Sequence, residues 1–379
     1  MATTAAPALE PVRPPVGERL GALGWLKRNL FNSPLNSLLT LLILYFLWVT
    51  LVPLFEWAVL NAVWNANSKQ ECEAAFRAAG KEEPVRGACW AIVRARLGQY
   101  LYGLYPAEER WRVNLGFALL AVAMVPLFLD LRLNKLLYAA ALIVIYPPVA
   151  YTLFLGGSFG LPRVETHLWG GLFLTLVIAG VGITASLPLG VLLALGRRSE
   201  MPVIKALAVA FIELVRGVPL VTVLFMASVM LPLFLPEGVT FDKLLRALVG
   251  VSLFASAYMA EVVRGGLQAI PRGQYEAAAA LGLGYWKMMG LVILPQALRL
   301  VIPGIVNTFI GLFKDTALVL IIGLYDLLGM AQIIIKDPAW LGLATETYLV
   351  AGVGFWIFCF GMSRYSMALE RKLGVGQRR

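Results

Sequence analysis

Two pairs of opposite charges interrupt long apolar stretches of the chain. Glu213 and Arg216 are three residues apart, and Glu261 and Arg264 repeat that spacing further along. Residues at this spacing lie on one face of a helix. Charged side chains in an apolar environment are costly, so they pair with one another or face a polar cavity. The pairs are therefore packing contacts or part of the wall of a solute path. Packing is favoured for Arg264, which borders its apolar run, and both interpretations stay open for the other three.

Further polar groups lie in the same half of the chain. Gly217 and Pro219 interrupt the helix just after Arg216, and a broken helix frees backbone groups that transporters use for binding. The candidate solute-binding residues are Glu213, Arg216, Glu261, Asn307, Thr308, Lys314 and Asp315.

Patterns for covalent chemistry are missing from the sequence. Gly180, Gly182 and Ala185 match a loose dinucleotide fingerprint, but they lie inside an apolar run, where small residues let helices pack closely. The Gly80-Lys81 dipeptide lacks the rest of a Walker A loop. There is one histidine, and no metal-ligand cluster or nucleophile–base set occurs. We therefore predict no catalytic residue, no metal site and no cofactor in this chain.

The composition is that of a membrane protein. Of 379 residues, 60% are hydrophobic and only 14% are charged, against about 25% charged in soluble proteins. Lipid cannot satisfy free backbone groups, so the spans are predicted to be helices and the fold all-α and polytopic. Eight spans are predicted, near residues 37–59, 113–130, 136–155, 168–195, 208–235, 244–263, 292–313 and 345–363. Residues 317–335 are apolar but interrupted by Asp326 and Gly329, which indicates a surface or re-entrant helix.

Basic residues predict the orientation. The net charge of the chain is +10. The basic residues lie in short segments beside the spans and form no nucleic-acid-binding motif. Cytoplasmic loops are rich in Lys and Arg, and with eight spans the basic segments fall on one side. They contain Arg13, Arg19, Lys27, Arg28, Arg132, Lys135, Arg197, Arg198, Lys205, Arg264, Arg272, Lys287, Arg364, Arg371, Lys372, Arg378 and Arg379. Both termini are therefore predicted to be cytoplasmic. Residues 1–16, rich in Ala and Pro, are predicted to be disordered, and no cleavable signal peptide is expected.

The long polar segment 60–112 is predicted to lie outside and to hold one or two short amphipathic helices. It contains Cys72 and Cys89, which either form a disulfide in an oxidising compartment or remain two separate thiols.

The stretch around Glu276 has the character of a docking element. Glu276 lies early in a helical stretch that follows Pro271 and Gly273, and a carboxylate there suits the positive end of the helix dipole. Residues 277–280 are all alanine, so another surface can approach closely, and Gly282 allows a sharp turn. A short helix of this kind fits a groove on a partner. The alternative is an ordinary alanine-rich loop at the membrane surface.

The spacing of this stretch resembles the EAA signature of importer-type ABC permeases. The positions that match in register are Glu276, Ala277, Ala278, Gly282, Leu294 and Pro295, whereas Val292 replaces the usual Ile. The resemblance implies a type I importer permease in which this loop is the coupling helix seated on an ATPase subunit. ATP and Mg²⁺ would then be bound by that partner chain.

Three further stretches resemble polar amino-acid permeases of the histidine/glutamine type. They are residues 211–220 (FIELVRGVPL), 257–274 (AYMAEVVRGG leading into IPRGQ) and 314–318 (KDTAL). The resemblance covers a five-span core, residues 168–365, followed by a tail, 366–379. An arm (1–36) and a three-span region with the long loop (37–167) precede it, a layout similar to the larger permease subunits of general L-amino-acid importers of Gram-negative bacteria.

The resemblance implies the partners and the location. They are a second permease, two ATPase subunits, a periplasmic amino-acid-binding protein and the lipid of the bacterial inner membrane, with no nucleic acid. An amino acid carries a carboxylate and an ammonium group, for which Arg216 and Glu213 or Glu261 provide opposite charges. The alternatives are an ABC permease for a different solute and an ion-coupled secondary transporter. The motifs fit broad L-amino-acid uptake as well as a preference for glutamate, glutamine or aspartate.

Overall fold

The computed structural model describes residues 22–81, 86–129, 134–234, 236 and 241–374. The predicted disorder of residues 1–16 lies outside these residues, as do five of the basic residues used for orientation: Arg13, Arg19, Arg132, Arg378 and Arg379.

The described chain is almost entirely helical, as predicted for an all-α polytopic protein. Its helices and its one short strand are α1 (Ala22–Asn29), α2 (Pro34–Phe55), α3 (Lys69–Ala78), α4 (Ala91–Tyr102), α5 (Arg110–Phe128), α6 (Lys135–Leu155), α7 (Gly171–Arg197), α8 (Pro202–Gly217), α9 (Leu220–Phe225), α10 (Lys243–Gln268), α11 (Arg272–Ala280), α12 (Tyr285–Met288), α13 (Leu294–Leu300), α14 (Ile302–Asp315), β1 (Tyr325–Asp326), α15 (Leu327–Ile334) and α16 (Ala344–Leu373). The long polar segment, for which one or two short helices are predicted, contains α3 and α4.

Seven described helices are long and apolar enough to cross a membrane, or eight if one bent pair is a single span. They are Pro34–Leu60, Ala107–Phe128, Lys135–Leu155, Gly171–Arg197, Lys243–Ala269, Ile302–Ile322 and Ala344–Leu373, with the bent pair Pro202–Gly217 and Leu220–Phe234. The predicted count of eight therefore requires the bent pair.

The bend in that pair is 104° and lies at the predicted break. Val218 and Pro219 both have extended backbone, with ψ of 136° and 143°. Proline has no amide hydrogen to donate to the preceding turn, so the helix ends at Gly217 and restarts at Leu220. This confirms that the sequence after Arg216 breaks the helix.

The predicted seventh span, residues 292–313, is wrong in its bounds. A π-helical turn at Met289–Ile293 and the break at Val301 (φ −108°, ψ 14°) divide this region. The continuous apolar segment instead runs from Ile302 to Ile322, ending in a 3₁₀ turn. Prolines 295 and 303 remove backbone donors on either side of the break, which explains the interruption.

Of the two interpretations of residues 317–335, a surface helix or a re-entrant helix, the surface helix is wrong. Leu327, Met330 and Ile334 of α15 are buried. Asp326 caps α15 by accepting a hydrogen bond from the amide of Gly329. Gly323 takes φ +72°, which permits the turn that folds this segment back into the protein.

The chain divides into two compact units, residues 1–64 with 73–88 and residues 65–72 with 89–379. In the described part of the first unit, the amides of Ala88 and Val63 make hydrogen bonds that link residues 57–63 to Ala88.

The second unit is built on the pairing of α7 with α10. A Cβ atom at Gly190 would lie 2.7 Å from Met259, and one at Gly182 would lie 2.9 Å from Leu312. Gly182 is therefore a packing residue, as the sequence suggests, whereas Gly180 faces open space. An aromatic cluster of Phe154, Trp169 and Phe173 adds to the core, with ring centroids 5.0 Å apart for two of its pairs.

Candidate functional site

Residues 271–293 form a hairpin of two short helical segments, here called the Glu276 hairpin. Its first arm is α11, which begins after Pro271. Ala278 is buried, whereas Glu276, Ala277, Ala279 and Ala280 are exposed. The arm therefore presents a flat face of small side chains with one carboxylate.

The turn of the hairpin is a Schellman motif. The amide of Leu283 donates to the carbonyl of Ala278 at 3.2 Å, and the amide of Gly282 donates to Ala279 at 2.9 Å. Gly282 has φ +72°, a conformation that costs other residues free energy. Because glycine adopts a positive φ without a steric penalty, Gly282 determines where α11 ends.

The helix after the hairpin, α13, contacts both arms through one side chain. Gln296 donates from Nε2 to Oε1 of Gln274 at 3.1 Å and to the carbonyl of Val292 at 2.8 Å. Leu294 is half-buried and Pro295 is exposed. The six residues of the EAA pattern therefore belong to one local structure, the hairpin and the start of the helix after it.

The hairpin also contacts the end of α7. The hydroxyl of Tyr275 donates to the carbonyl of Leu267 at 3.2 Å and accepts from Nη1 of Arg198 at 3.3 Å. The Arg198 guanidinium lies 5.7 Å from the centre of the Tyr275 ring. A cavity of about 410 Å³ opens beside this contact, lined by Arg198, Leu267, Gln268, Ile270, Arg272, Tyr275 and Glu276.

Five charged residues from α7, α8 and α10 form one group, here called the Glu261 cluster: Arg197, Glu213, Arg216, Glu261 and Arg264. Nη1 of Arg197 donates to Glu213 at 2.8 Å and to Glu261 at 2.9 Å. Arg264 donates to Oε2 of Glu261 from both Nε and Nη2, at 3.0 and 2.7 Å. Arg216 lies 3.7 Å from the same oxygen and 5.5 Å from the centre of the Tyr258 ring.

Three of the predicted solute-binding residues, Glu213, Arg216 and Glu261, are thus brought together. The predicted pairing along one helix holds for Glu261 and Arg264. It fails for Glu213, which pairs with Arg197 of another helix. Sequence reasoning missed Arg197 as a member of this group. The only signal was its position at the end of an apolar span, which indicates membrane orientation just as well.

The other four candidates lie on α14. The hydroxyl of Thr308 donates to the carbonyl of Gly304 within the helix at 2.9 Å. Asn307 and Lys314 are exposed, and Asp315 is half-buried. These residues therefore form a second, separate set of candidates.

Cys72 and Cys89 form a disulfide in the structure, with Cα atoms 6.1 Å apart. Both are buried. An ion pair between Arg96 and Asp337 lies in the same unit, and sequence reasoning missed it because the two residues are far apart in the chain.

Among the described residues, no group of three or more His, Cys, Asp or Glu side chains is arranged to hold a metal ion.

The chain has clear relatives of known class. Residues 186–375 match the family described as "Binding-protein-dependent transport system inner membrane component". The chain is 55% identical over 367 residues to the inner membrane amino-acid ABC transporter permease protein YhdY of Escherichia coli strain K12, covering 97% of each protein. The chain belongs to this permease family.

A second relative agrees with the family. The glutamate/glutamine/aspartate/asparagine transport system permease protein BztC of Rhodobacter capsulatus is 42% identical over 421 residues, which cover 95% of this chain and 96% of the relative. A crystal structure of an amino acid ABC transporter with histidines aligns with 53% of this chain and 92% of its own, with 31% identity and a TM-score of 0.47.

Family membership confirms the resemblance noted from the motifs. The permease is a multi-span protein of the inner membrane with the all-α, type I importer fold of its family. It is a transport subunit of an ABC importer for amino acids.

Proposed function

We propose that this permease moves polar L-amino acids inward and that a separate ATPase chain, which binds ATP and Mg²⁺, drives it from the Glu276 hairpin. The observation that carries this proposal is the exposed alanine face of α11, which ends in the turn at Gly282. A helix without bulky side chains suits close docking in a groove. The matching residues are Glu276, Ala277, Ala278, Gly282, Leu294 and Pro295.

The full importer would contain this chain, a second permease, two ATPase subunits and a periplasmic amino-acid-binding protein. The name of the Rhodobacter capsulatus relative supports polar amino acids as the substrate class. Both termini and the Glu276 hairpin would face the cytoplasm, because Arg197, Arg198, Arg272 and Lys287 belong to the same predicted side.

The experiment for ATPase docking is uptake by the reconstituted importer with the Glu276→Lys variant. We expect ATP hydrolysis to lose its link to uptake, because a positive charge replaces the carboxylate on the docking face. Glu108→Lys is the matched control, since Glu108 is an exposed glutamate on a turn far along the chain from the hairpin. Wild-type uptake by Glu276→Lys would contradict the proposal. Uptake by this chain alone, driven by an ion gradient in liposomes without an ATPase, would support a secondary transporter.

For solute contact we propose the set on α14, namely Asn307, Thr308, Lys314 and Asp315. The opposite charges of Glu213, Arg216 and Glu261 are directed at one another or at Arg197 and Arg264, which favours their packing interpretation. Asn307→Ala is therefore expected to lower the affinity of the importer for the amino acid more than Arg216→Ala does. Binding of labelled amino acid to the purified importer measures this affinity. Loss of binding in Arg216→Ala with normal binding in Asn307→Ala would place the site in the Glu261 cluster instead.

A further inference from the structure

Glu261 is the shared partner of arginines from three helices. Arg197 reaches it from α7, Arg216 from α8 and Arg264 from its own helix, α10. The carboxylate therefore joins the ends of three helices at one point.

The cluster can open without leaving a bare charge in an apolar place. Arg264 holds Glu261 with two hydrogen bonds from one turn away on the same helix, so this pair travels with α10. If α7 and α8 move away, Glu261 keeps a partner, and the large penalty of an unpaired buried charge does not arise. The contacts that would break, those of Arg197 and Arg216, are the ones between helices.

The interhelical contacts are also of the weak kind. The side chains of Arg197, Arg216 and Glu213 are 24%, 35% and 56% exposed to solvent. Ion pairs that water reaches contribute little to stability, so they can form and break during a cycle. Arg112 provides a contrast, because its side chain is fully buried where it pairs with Glu109 at 3.0 Å.

The cluster is connected to the Glu276 hairpin through two neighbouring residues. Arg197 is a member of the cluster, where it donates to Glu261, and the next residue, Arg198, contacts Tyr275 on α11. Tyr275 also donates to Leu267 near the end of α10, the helix that carries Glu261. A displacement of α11 therefore acts on two of the three helices whose charges meet in the cluster, α7 and α10.

We infer that the Glu261 cluster is a latch that holds α7, α8 and α10 together in one state of the transport cycle, and that Arg198 and Tyr275 connect it to the hairpin. This inference rests on the proposed docking of an ATPase on the hairpin. Arg197, Arg198 and Tyr275 are positioning residues in this mechanism: they control when the helices separate and do not touch the solute.

The test uses the complete importer in proteoliposomes and measures amino acid taken up per ATP hydrolysed. Arg197→Met and Tyr275→Phe are each expected to lower this ratio about fivefold or more, since coupling between two sites in a protein typically changes an affinity by at least about that factor. Both variants are also expected to raise the rate of ATP hydrolysis in the absence of binding protein. Arg197→Lys restores part of the ratio, because an ammonium group still reaches one carboxylate. Lys205→Met is the matched control, since it removes a basic residue from the neighbouring segment outside the cluster, and it is expected to keep the wild-type ratio.

An assembled Arg197→Met importer with the wild-type ratio overturns the latch, and a wild-type ratio in Tyr275→Phe overturns its connection to the hairpin. If Arg197→Met does not assemble, Glu213→Gln tests the latch, because it removes one interhelical partner and leaves the Glu261–Arg264 pair intact. Failure of the proposed function itself is distinct, since the wild-type importer would then show no ATP-dependent uptake.

Discussion

The backbone amide of Cys89 donates a hydrogen bond to Oε1 of Glu346 at 3.1 Å, although the two residues are 257 positions apart. Cys89 is also joined to Cys72 by the disulfide. Glu346 lies in the first turn of α16, where a carboxylate suits the helix dipole. The part of the long polar segment that carries Cys89 is therefore attached to the beginning of the last span.

Removing the disulfide is expected to destabilise the permease. Cys72 and Cys89 are separated by 17 residues, and a cross-link over a loop of this length contributes about 3 kcal/mol by restricting the unfolded chain. The variant with both cysteines changed to Ser should unfold at a lower temperature in detergent. Cys359→Ser is the control, because Cys359 is a free, half-buried thiol in α16. Equal unfolding temperatures for the double variant and the wild type would count against a bridge.

Glu346 is expected to matter as an acceptor more than as a charge. Its side chain is buried, with 6% exposure, and it accepts from Cys89. Glu346→Leu leaves that amide without its partner, which costs about 1–3 kcal/mol. Glu346→Gln keeps an oxygen at the same place and should cost less. Thermal unfolding of the two variants measures the difference, and a Gln variant as unstable as the Leu variant would show that the charge dominates.

Gly282 and Gly284 provide a test of the hairpin turn. A Cβ atom meets no neighbour within 4 Å at either position, but only Gly282 has a positive φ, +72°. Gly282→Ala should therefore strain the backbone by about 1–2 kcal/mol, whereas Gly284→Ala should not. We expect Gly282→Ala to reduce uptake per ATP hydrolysed in the reconstituted importer and Gly284→Ala to leave it unchanged. A similar loss in both variants would point to a clash between the added methyl group and the docked partner rather than to backbone conformation.

Features that depend on neighbouring residues in the chain were predictable from the sequence. The uncharged run that becomes Pro34–Leu60 and the break at Gly217 and Pro219 follow from local composition and from proline geometry. The spacing from Glu276 to Pro295 predicted the hairpin for the same reason, since helix, turn and second helix are all local structures.

Features that depend on distant contacts were not predictable. The partner of Glu213 is Arg197, and the apolar run alone does not indicate which helices α7 packs against. Asp326 breaks an apolar stretch and therefore suggested a surface or re-entrant helix, but a buried helix needs a cap as much as an exposed one does. The seventh span was misplaced because hydrophobicity continues across the break at Val301.

Asp326 is expected to make the stability of the permease depend on pH. Its side chain is fully buried, and burial raises the pKa of Asp326 from 3.8 to about 6, against the opposing effect of hydrogen bonds from the amides of Gly329 and Leu328. Because the folded state holds the proton more tightly, this contribution to stability is present below pH 4 and is lost as the pH rises through about 6. The difference between these limits is up to about 3 kcal/mol.

The variant Asp326→Asn should remove this dependence. The asparagine oxygen can still accept from Gly329, but the side chain stays neutral at every pH. Between pH 5 and pH 7, we expect the unfolding temperature of the wild type to fall more than that of Asp326→Asn. The variant therefore becomes more stable relative to the wild type as the pH rises. Asp242→Asn is the matched control, because Asp242 is an exposed N-cap that accepts from Leu245 at 3.1 Å. Parallel pH profiles for the wild type and Asp326→Asn would show that the carboxyl group is already ionised in the folded protein at pH 5.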